Sequence, residues 1–351
     1  MTPSNSRRPH PLSRRRLLGT IPAAMMVAWG LSACGDDADD PSSAAATDVP
    51  AGAATATAAA IFPRTVKGAL GDVTIPKQPK RVVVTYDADD LDPVLGAGVT
   101  PVLFGYSNWN GTGIPPWAAA AGAAEAKTFD ASSLEGADLE QVAAMRPDLI
   151  VGMEYVVKPV QSQMSALAPT LALPWNTTDF RTLQQMVGEA LGREEQAEQT
   201  IATAEAAIAA AKDRLKGVAG RTATVAYAYY NASFYVHGPE TPEGRMLTAL
   251  GLKVRSDIGP GINTFSLERM NELDGSDIWL STNLAKAETK EFMASPLFVG
   301  LTSVQEGRFV VVPDLVARAV YLSSALSIAW AADRYADEIL RSAEGKGFKP
   351  A

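Results

Sequence analysis

The chain is poor in cysteine and histidine, and each shortage excludes a class of site. Among its 351 residues the single cysteine is Cys34, and the only histidines are His10 and His237. A lone thiol cannot form a disulfide within the chain. These three side chains also cannot build a zinc site from cysteine and histidine, which takes four ligands. The function therefore rests on other side chains.

Signatures of catalysis are missing as well. The sequence has no Gly-x-Ser-x-Gly turn, no phosphate-binding Walker loop and no Gly-x-Gly-x-x-Gly segment after a strand. A serine–histidine–aspartate triad would have to use His237, for which the sequence offers no partner. Four aspartates follow the first apolar strand: Asp87, Asp89, Asp90 and Asp92. They could bind a cation, but the simpler interpretation is the solvent-exposed start of a helix. We predict neither an enzyme nor a resident cofactor.

Basic charge is also scarce. The chain holds 31 lysines and arginines against 39 aspartates and glutamates, and five of the arginines lie in the first 34 residues. The remainder carries 26 bases and the same 39 acids, a net charge near −13. An acidic chain without a basic cluster is a poor binder of nucleic acid.

Residues 1–34 have the pattern of an export signal rather than of a membrane span. An apolar run from Leu17 to Ala33, interrupted by Pro22, follows a group of arginines. The pair Arg14-Arg15 resembles the twin-arginine signal of proteins that are exported already folded. Leu31-Ser-Ala-Cys34 matches the bacterial lipobox, which predicts that Cys34 is lipidated and becomes the first residue of the mature protein. The alternative is an ordinary exported protein with a chance cysteine.

Residues 35–60 consist of alanine, aspartate, serine, threonine and proline, with almost nothing to bury. Such a composition is typical of a disordered tether. The folded body is then expected to lie a few nanometres from a membrane, outside the cytoplasm.

The rest of the chain alternates short apolar strands with amphipathic helices. Strand-like runs include Arg81–Thr85, Leu149–Val151, Asp277–Leu280 and Phe309–Val312. Continuous apolar runs at this spacing indicate mostly parallel sheets that helices cover on both faces. We therefore predict an α/β protein of two lobes, spanning residues 61–191 and 218–351.

One long helix separates the two lobes. Residues 192–217 are nearly all strong helix formers between two glycines, with glutamates near the start and lysine and arginine near the end. Its narrow apolar stripe contains Ile201, Ile208 and Leu215. At 1.5 Å per residue such a helix is roughly 35 Å long, about one domain across. We interpret it as a rigid strut that joins the lobes.

The carboxyl ends of the strands predict where a ligand binds. Open α/β sheets place ligands at that edge, and many of its loops carry an aromatic or amide side chain. The first lobe contributes Tyr86, Tyr106, Trp109, Trp117, Tyr155 and Trp175, and the second contributes Tyr229, Tyr230 and Asn283. Aromatic rings cover apolar edges of a ligand while hydroxyls bond its oxygens. Core packing or contacts between the lobes are the alternative for each of them.

Several segments together resemble a known family. They are Pro79–Val84, Leu95–Val102, Leu139–Ile150, Leu167–Thr170, Phe265–Glu268 and Gly307–Asp314. This pattern is similar to that of ABC-transporter solute-binding proteins for ferric siderophores, haem and corrinoids, over roughly residues 62–342. The resemblance implies two α/β lobes joined by one rigid helix, with the ligand between them. It also agrees with a lipid anchor, since such receptors are commonly lipoproteins in bacteria that lack an outer membrane.

The resemblance further implies roles for three charged residues. Glu140 and Glu268 fall on the positions where one glutamate of each lobe docks on arginines of the membrane permease, although each also suits the first turn of a helix. Arg318 falls where family members place a ligand-contacting arginine, and a surface arginine is the alternative. The implied partners are an ABC permease with its ATPase, and we expect a monomer.

Three functions remain open from the sequence. The favoured one is capture of a ferric siderophore, preferably a hydroxamate, because the predicted cleft is rich in aromatics and poor in arginine. The second is a haem or corrinoid receptor of the same fold, with His237 or Tyr235 as the iron ligand; a histidine at this position is more often a surface residue at a strand end. The third is a surface lipoprotein that binds a protein partner.

Overall fold

The computed structural model describes residues 62–86, 89–107, 113–131, 138–175, 179–229, 233–282 and 293–350. The export signal, Cys34 and the tether lie outside these residues, as do Asp87, Trp109, Tyr230 and Asn283. Residues 58–351 form one compact unit. No helix in the described ranges combines the length and apolarity that crossing a membrane requires.

The first lobe is built on a five-stranded parallel sheet. A hairpin of β1 (Arg64–Gly68) and β2 (Gly71–Ile75) precedes it. The sheet consists of β3 (Val82–Val84), β4 (Leu103–Tyr106), β5 (Lys127–Asp130), β6 (Leu149–Met153) and β7 (Thr170–Leu173). Their order is β5-β4-β3-β6-β7, and every pair is parallel. All residues of β3, β6 and β7 are buried, as a sheet covered on both faces requires.

Within the described ranges of this lobe, six helices connect and cover the strands. They are α1 (Leu91–Gly96), α2 (Pro116–Ala120), α3 (Leu139–Ala144), α4 (Glu154–Val157), α5 (Gln161–Leu167) and α6 (Phe180–Leu191). Short 3₁₀ turns occupy Ala123–Glu125 and Lys158–Val160. Asp138 begins α3, because its carboxylate accepts hydrogen bonds from the Glu140 and Gln141 amides.

The second lobe holds a six-stranded sheet that is parallel except around one strand. Its strands are β8 (Thr222–Tyr229), β9 (Ser233–His237), β10 (Lys253–Val254), β11 (Ile262–Ser266), β12 (Ile278–Thr282) and β13 (Phe309–Val312). The order is β11-β9-β8-β12-β13, with β10 also paired to β8. Only β9 among them runs antiparallel to its neighbours. The fold class predicted from the sequence is confirmed.

The strut is present as α7 (Glu194–Arg214), with a 3₁₀ turn at Lys216–Val218 after it. The helix is slightly shorter than the predicted range 192–217 because Gly192 adopts φ 64° and ends α6 there. The buried face of α7 is made mainly of small side chains, including Ala197, Ala204 and Ala211. Small side chains allow neighbouring helices to approach closely.

A second long helix lies beside the strut, which the sequence prediction of a single bridge did not include. The remaining helices are α8 (Pro242–Ala249), α9 (Pro296–Val299), α10 (Thr302–Gln305), α11 (Asp314–Leu322) and α12 (Ala325–Ala343), with a 3₁₀ helix at Leu267–Leu273. The start of α12 packs near Ile201 of α7, and Arg214 at the end of α7 pairs with Asp333 and Asp337 of α12. The two helices therefore run parallel.

The apolar core is continuous between the lobes. One cluster of buried side chains includes residues of both sheets, from Val83 and Ile150 in the first to Val225 and Val310 in the second. A smaller cluster in the second lobe is centred on Trp279. The lobes therefore share packed apolar surface in addition to the helices that connect them.

Candidate functional site

The strand ends of the first lobe bring four predicted aromatic residues to one edge. Tyr86 follows β3, Tyr106 ends β4, Tyr155 follows β6 in α4, and Trp175 follows β7. Because β3, β4, β6 and β7 are parallel neighbours, their carboxyl ends meet at the same side of the sheet. The second sheet has the same arrangement, since β8 ends at Tyr229 and β13 leads into α11.

Tyr155 and Trp175 form a direct aromatic contact at this edge. Their ring centroids lie 4.8 Å apart with an interplanar angle of 82°, an edge-to-face arrangement. Trp175 is 47% exposed, which is unusual for so large an apolar side chain. Its partner Tyr155 is half-buried, and Tyr86 is buried. An exposed indole on a fixed tyrosine is a suitable contact for an apolar ligand edge.

A tyrosine of the second lobe faces the same group. Burial raises the pKa of Tyr321 to about 12, with further contributions from Glu243, Asp89 and Tyr86. Tyr321 lies on α11 of the second lobe whereas Asp89 and Tyr86 belong to the first, so the electrostatic influence on Tyr321 comes from both lobes. Tyr321 was not predicted from the sequence, although its helix directly follows a strand end.

Burial also keeps Tyr155 protonated. Its pKa is raised well above the ordinary value for tyrosine by burial and then by Asp90, Asp89, Tyr86 and Tyr321. The phenols of Tyr155 and Tyr321 are thus neutral at physiological pH in the unliganded protein. They can donate hydrogen bonds to ligand oxygens, and neither is a preformed tyrosinate.

Asp89 is a partly buried carboxylate in this region. Burial, reinforced by the negative charge of Asp92, raises the pKa of Asp89 to about 7. Within the described part of the chain its side chain makes no hydrogen bond or ion pair. The expectation of a solvated helix start is therefore wrong for Asp89.

Asp92 connects the two lobes. Its Oδ2 atom accepts hydrogen bonds from Trp117 Nε1 at 2.9 Å and from Ser324 Oγ at 2.5 Å. The Trp117 ring also packs on Trp330, with centroids 5.2 Å apart. Trp117 is 5% exposed. This geometry favours the packing alternative for Trp117 over ligand contact.

Asp90 is held within the first lobe. It is fully buried, and its Oδ2 atom accepts a hydrogen bond from Thr85 Oγ1 at 2.9 Å. Within the predicted aspartate cluster, Asp90 and Asp92 thus stabilise the loop after β3 through their hydrogen bonds.

Two residues for which a surface position was an alternative are buried. Arg318 is 4% exposed and lies one turn before Tyr321 on α11, so the surface alternative is wrong for it. His237 is 1% exposed, and its Nδ1 atom is hydrogen bonded to Glu243 Oε2 at 2.8 Å. The ring of Tyr227 lies 5.0 Å from its imidazole. A surface position at a strand end is therefore also wrong for His237.

Glu140 and Glu268 occupy equivalent places in the two lobes. Glu140 is in the first turn of α3, and Glu268 is in the first turn of the 3₁₀ helix at Leu267–Leu273. Each of these helices leads into a parallel strand, so each begins at the carboxyl edge of its sheet. Both side chains are exposed and have no partner among the described residues. The structure is compatible with both the docking and the helix-dipole interpretation.

A separate cavity of about 520 Å³ lies along α7. Arg181 in its wall pairs with Glu205 at 2.6 Å and with Asp179 at 3.3 Å. The lining also includes Phe180, Ile208, Lys212, Arg245, Met246 and Ile328. None of the predicted cleft aromatics that the structure describes lines it. Across the described ranges, no three of histidine, cysteine, aspartate and glutamate form a group that can hold a metal ion.

Comparison with known proteins gives a family and a fold. The family model described as "Periplasmic binding protein" matches residues 82–315. The chain is 25% identical over 303 residues to the iron(3+)-hydroxamate-binding protein FhuD of Bacillus subtilis, covering 83% of this chain and 88% of the relative. It is 26% identical over 270 residues to the ferric enterobactin-binding periplasmic protein FepB of Escherichia coli, covering 70% of this chain and 83% of the relative.

Solved structures agree at the level of the fold. A periplasmic solute binding protein of Mycobacterium smegmatis superposes with a TM-score of 0.69 at 24% identity, covering 79% of this chain and 97% of that one. PiaA of Streptococcus pneumoniae in complex with ferrichrome gives a TM-score of 0.65 at 23% identity, covering 80% and 99% of the two chains.

Proposed function

The chain belongs to the periplasmic binding protein family, and from that membership we propose that it is a lipid-anchored extracytoplasmic receptor for a ferric siderophore. The cargo is held between the lobes and delivered to an ABC importer. Relatives named for ferric hydroxamate, ferric enterobactin and ferric citrate support an iron chelate as the cargo. A hydroxamate is the favoured class, because the proposed contacts include many aromatic side chains and a single arginine, Arg318.

The observation that carries the proposal is the convergence of tyrosines from both lobes. Tyr86 and Asp89 both contribute to the raised pKa of Tyr155 in the first lobe and of Tyr321 in the second. Their protonated phenols would donate hydrogen bonds to chelate oxygens, while the rings and Trp175 would cover its apolar edges. A siderophore fills the coordination shell of iron by itself, so this cargo needs no ligand atom from the protein.

The remaining members of the predicted cleft belong to the same proposal. Arg318 would bond carbonyl or hydroxamate oxygens through its guanidinium. The other proposed contacts are Tyr106, Trp109, Tyr229, Tyr230 and Asn283. Trp117 is left out, because its indole N–H is already bonded to Asp92.

Haem or corrinoid is the rival cargo, and the surroundings of His237 argue against it. Its imidazole is buried and its Nδ1 atom bonds Glu243. To serve as an axial ligand, this imidazole would have to contact the haem iron. A protein that binds no small molecule is the remaining rival.

Ligand titration separates these functions. Tryptophan fluorescence of the purified protein should be quenched by ferrichrome, a ferric hydroxamate, and Tyr321→Phe should weaken its binding about fivefold, roughly one hydrogen bond. Tyr335→Phe removes a buried hydroxyl from α12 of the same lobe and serves as the matched control, with unchanged affinity. A Soret band that disappears in His237→Ala would instead establish haem as the cargo, and no quenching by any chelate would contradict both.

Glu140 and Glu268 are proposed to dock on the permease. Two carboxylates, one on each lobe, can both form ion pairs with the permease only when the two lobes are correctly placed relative to each other. Glu140→Lys and Glu268→Lys should leave the Kd for the chelate unchanged and abolish chelate uptake by cells. The exposed Glu125→Lys, also on the first lobe, is the control and should transport normally. Normal transport by the double variant would end the docking proposal.

Anchoring is proposed to occur at Cys34 after export by the twin-arginine route. Cys34→Ser should release the protein from the membrane fraction, whereas Arg14→Lys combined with Arg15→Lys should prevent export. Membrane retention of the serine variant would contradict lipidation.

A further inference from the structure

We propose that the cavity along α7 is a second binding site, which takes a small carboxylate with an apolar body. Lys212 and Arg245 would bind the carboxylate, the Ser323 hydroxyl would donate a further hydrogen bond, and the apolar floor would cover the body. The inference goes beyond the proposed function, because the cavity is lined by none of the predicted cleft residues whose side chains the structure describes. It therefore holds or fails independently of the cargo.

The cavity lies where the two lobes and the helix between them come together. Its wall is formed by the start of α6 in the first lobe, by α7, by α8 of the second lobe and by the junction of α11 with α12. Its volume of about 520 Å³ falls within the range of about 300–1,000 Å³ that is typical of small-molecule sites. Such sites are frequent between domains.

The floor of the cavity is apolar. Phe180, Met246 and Ile328 are buried, and Ile208 is partly buried. Phe180, Ile208 and Ile328 belong to one packed cluster of side chains, which keeps this surface in place. An apolar floor favours a ligand with an apolar body, because binding removes that surface from water.

The charged side chains of the wall leave two cations for a ligand. Arg181 pairs with Glu205 at 2.6 Å and with Asp179 at 3.3 Å, so both acidic side chains of the described lining are already engaged. Lys212 and Arg245 have no ion pair within the described ranges. The whole chain carries a net charge of −8, yet both unpaired charges at this cavity are positive. The site therefore attracts an anion.

Both cations lie beside α8. The Cε atom of Lys212 is 3.6 Å from the position that a Cβ atom on Gly251 would take, so this side chain reaches from α7 to the end of α8. The Nε atom of Arg245 donates a hydrogen bond to the carbonyl of Glu240 at 3.0 Å, which orients the guanidinium. In the described part of the chain its two terminal nitrogens make no hydrogen bond. A guanidinium presented in this way binds carboxylates well.

Ser323 adds a polar group in an unusual backbone conformation. It ends α11 with φ 50° and ψ 37°, the left-handed region that favours glycine. It lines the cavity, and its hydroxyl makes no hydrogen bond to the described residues. Residues in such conformations are concentrated at ligand sites. A hydrogen bond from the hydroxyl to a ligand would account for serine at a position that suits glycine better.

Three probes of similar shape test the charge of the ligand. 2-Naphthoate, 2-naphthamide and 2-naphthylmethylamine share one apolar ring system and are anionic, neutral and cationic at neutral pH. Equilibrium dialysis with the full chain gives their dissociation constants. Naphthamide should bind about tenfold more weakly than naphthoate, as expected for the loss of one charge-assisted hydrogen bond, and the amine should bind most weakly. An excess of ferrichrome should leave these values unchanged, because the cavity and the cleft are separate.

Variants connect this preference to the named side chains. Lys212→Gln and Arg245→Gln should each reduce the preference for naphthoate over naphthamide, and the double variant should abolish it while still binding naphthamide. Lys127→Gln removes an exposed lysine from β5 of the first lobe and is the matched control, which should keep the wild-type preference.

Ser323→Gly separates a ligand contact from a structural role. Glycine should relieve the left-handed strain and raise the midpoint of thermal unfolding. Loss of the hydroxyl should weaken naphthoate binding about fivefold, roughly one hydrogen bond. Unchanged or tighter binding by this variant would overturn the role of Ser323.

Four results would overturn the site as a whole. They are no binding of naphthoate, equal binding of naphthoate and naphthamide, displacement of naphthoate by ferrichrome, and a preference that persists in the double variant. Failure of ferrichrome itself to bind would contradict the proposed function and leave the carboxylate site standing.

Discussion

Burial of polar side chains controls the chemistry of individual residues in this protein. Tyr155, Tyr321 and Tyr335 all have a pKa raised mainly by burial, so all three hydroxyls remain protonated. Their environments nevertheless differ, because Tyr155 and Tyr321 are only partly buried whereas Tyr335, on α12, is fully buried. The same chemical group is therefore a candidate ligand contact in one place and a cost to stability in another.

The hydroxyl of Tyr335 provides a test of that cost. It is buried and has no hydrogen-bond partner in the described part of the chain. Removing an unsatisfied buried polar atom should stabilise the protein, so we expect Tyr335→Phe to raise the free energy of unfolding by about 1 kcal/mol in urea titrations. A decrease of similar size would show that the hydroxyl has a partner, such as a buried water.

Single residues also mark the limit of prediction from sequence. The strand-end rule correctly places Tyr86, Tyr155 and Trp175 at one edge, because it depends only on the parallel order of strands. The packing of Trp117 on Trp330 and the burial of His237 could not be predicted. Both depend on contacts between segments far apart in the sequence, for which the local pattern carries no signal.

Among the elements, α6 and α7 are packed so closely that the contact between them requires a glycine at one position. A Cβ atom on Gly188 of α6 would lie 2.5 Å from the Cβ atom of Ala197 on α7. Alanine is a better helix former than glycine by about 1 kcal/mol. The clash with Ala197 has the opposite effect on stability, because the Ala197 side chain has no flexible end that can move away from the added Cβ atom.

We expect Gly188→Ala to lower the free energy of unfolding by about 1–2 kcal/mol, since overpacking costs about 1–3 kcal/mol. Gly217→Ala is the matched control in the 3₁₀ turn after α7, where an added Cβ meets nothing within 4 Å. The control should be neutral or slightly stabilising in the same denaturation experiment. Stabilisation by Gly188→Ala would mean that the two helices separate easily.

The elements themselves were largely predictable because their signals are local. Thr241 begins α8 by accepting a hydrogen bond from the Gly244 amide, and Pro242 occupies the first turn, where proline is favoured. Ser266 precedes the 3₁₀ helix at Leu267–Leu273, but its side chain makes no capping bond. The pairing of α12 with α7 was not predictable, because an alanine-rich face packs equally well on many partners.

At the level of the whole molecule, the two lobes are joined in three ways. The core is continuous, α7 and α12 run side by side, and Asp92 of the first lobe bonds Ser324 at the start of α12. Receptors that close widely are hinged on a few loop residues. The arrangement here predicts that the lobes close by only a few degrees when cargo binds.

Small-angle X-ray scattering tests this prediction directly. The radius of gyration should be the same, within experimental error, with and without ferrichrome. Ser324→Ala removes both the side-chain cap at the start of α12 and the hydrogen bond to Asp92, and it should increase the difference between the two states. A marked decrease in the radius of gyration of the wild type on binding would contradict a rigid connection.

The parallel packing of α7 and α12 also has a consequence for cargo release. Twisting the lobes apart would bend both packed helices together. Under the proposed function, a permease that opens the cleft to release the cargo would therefore have to work against two helices rather than against one flexible hinge.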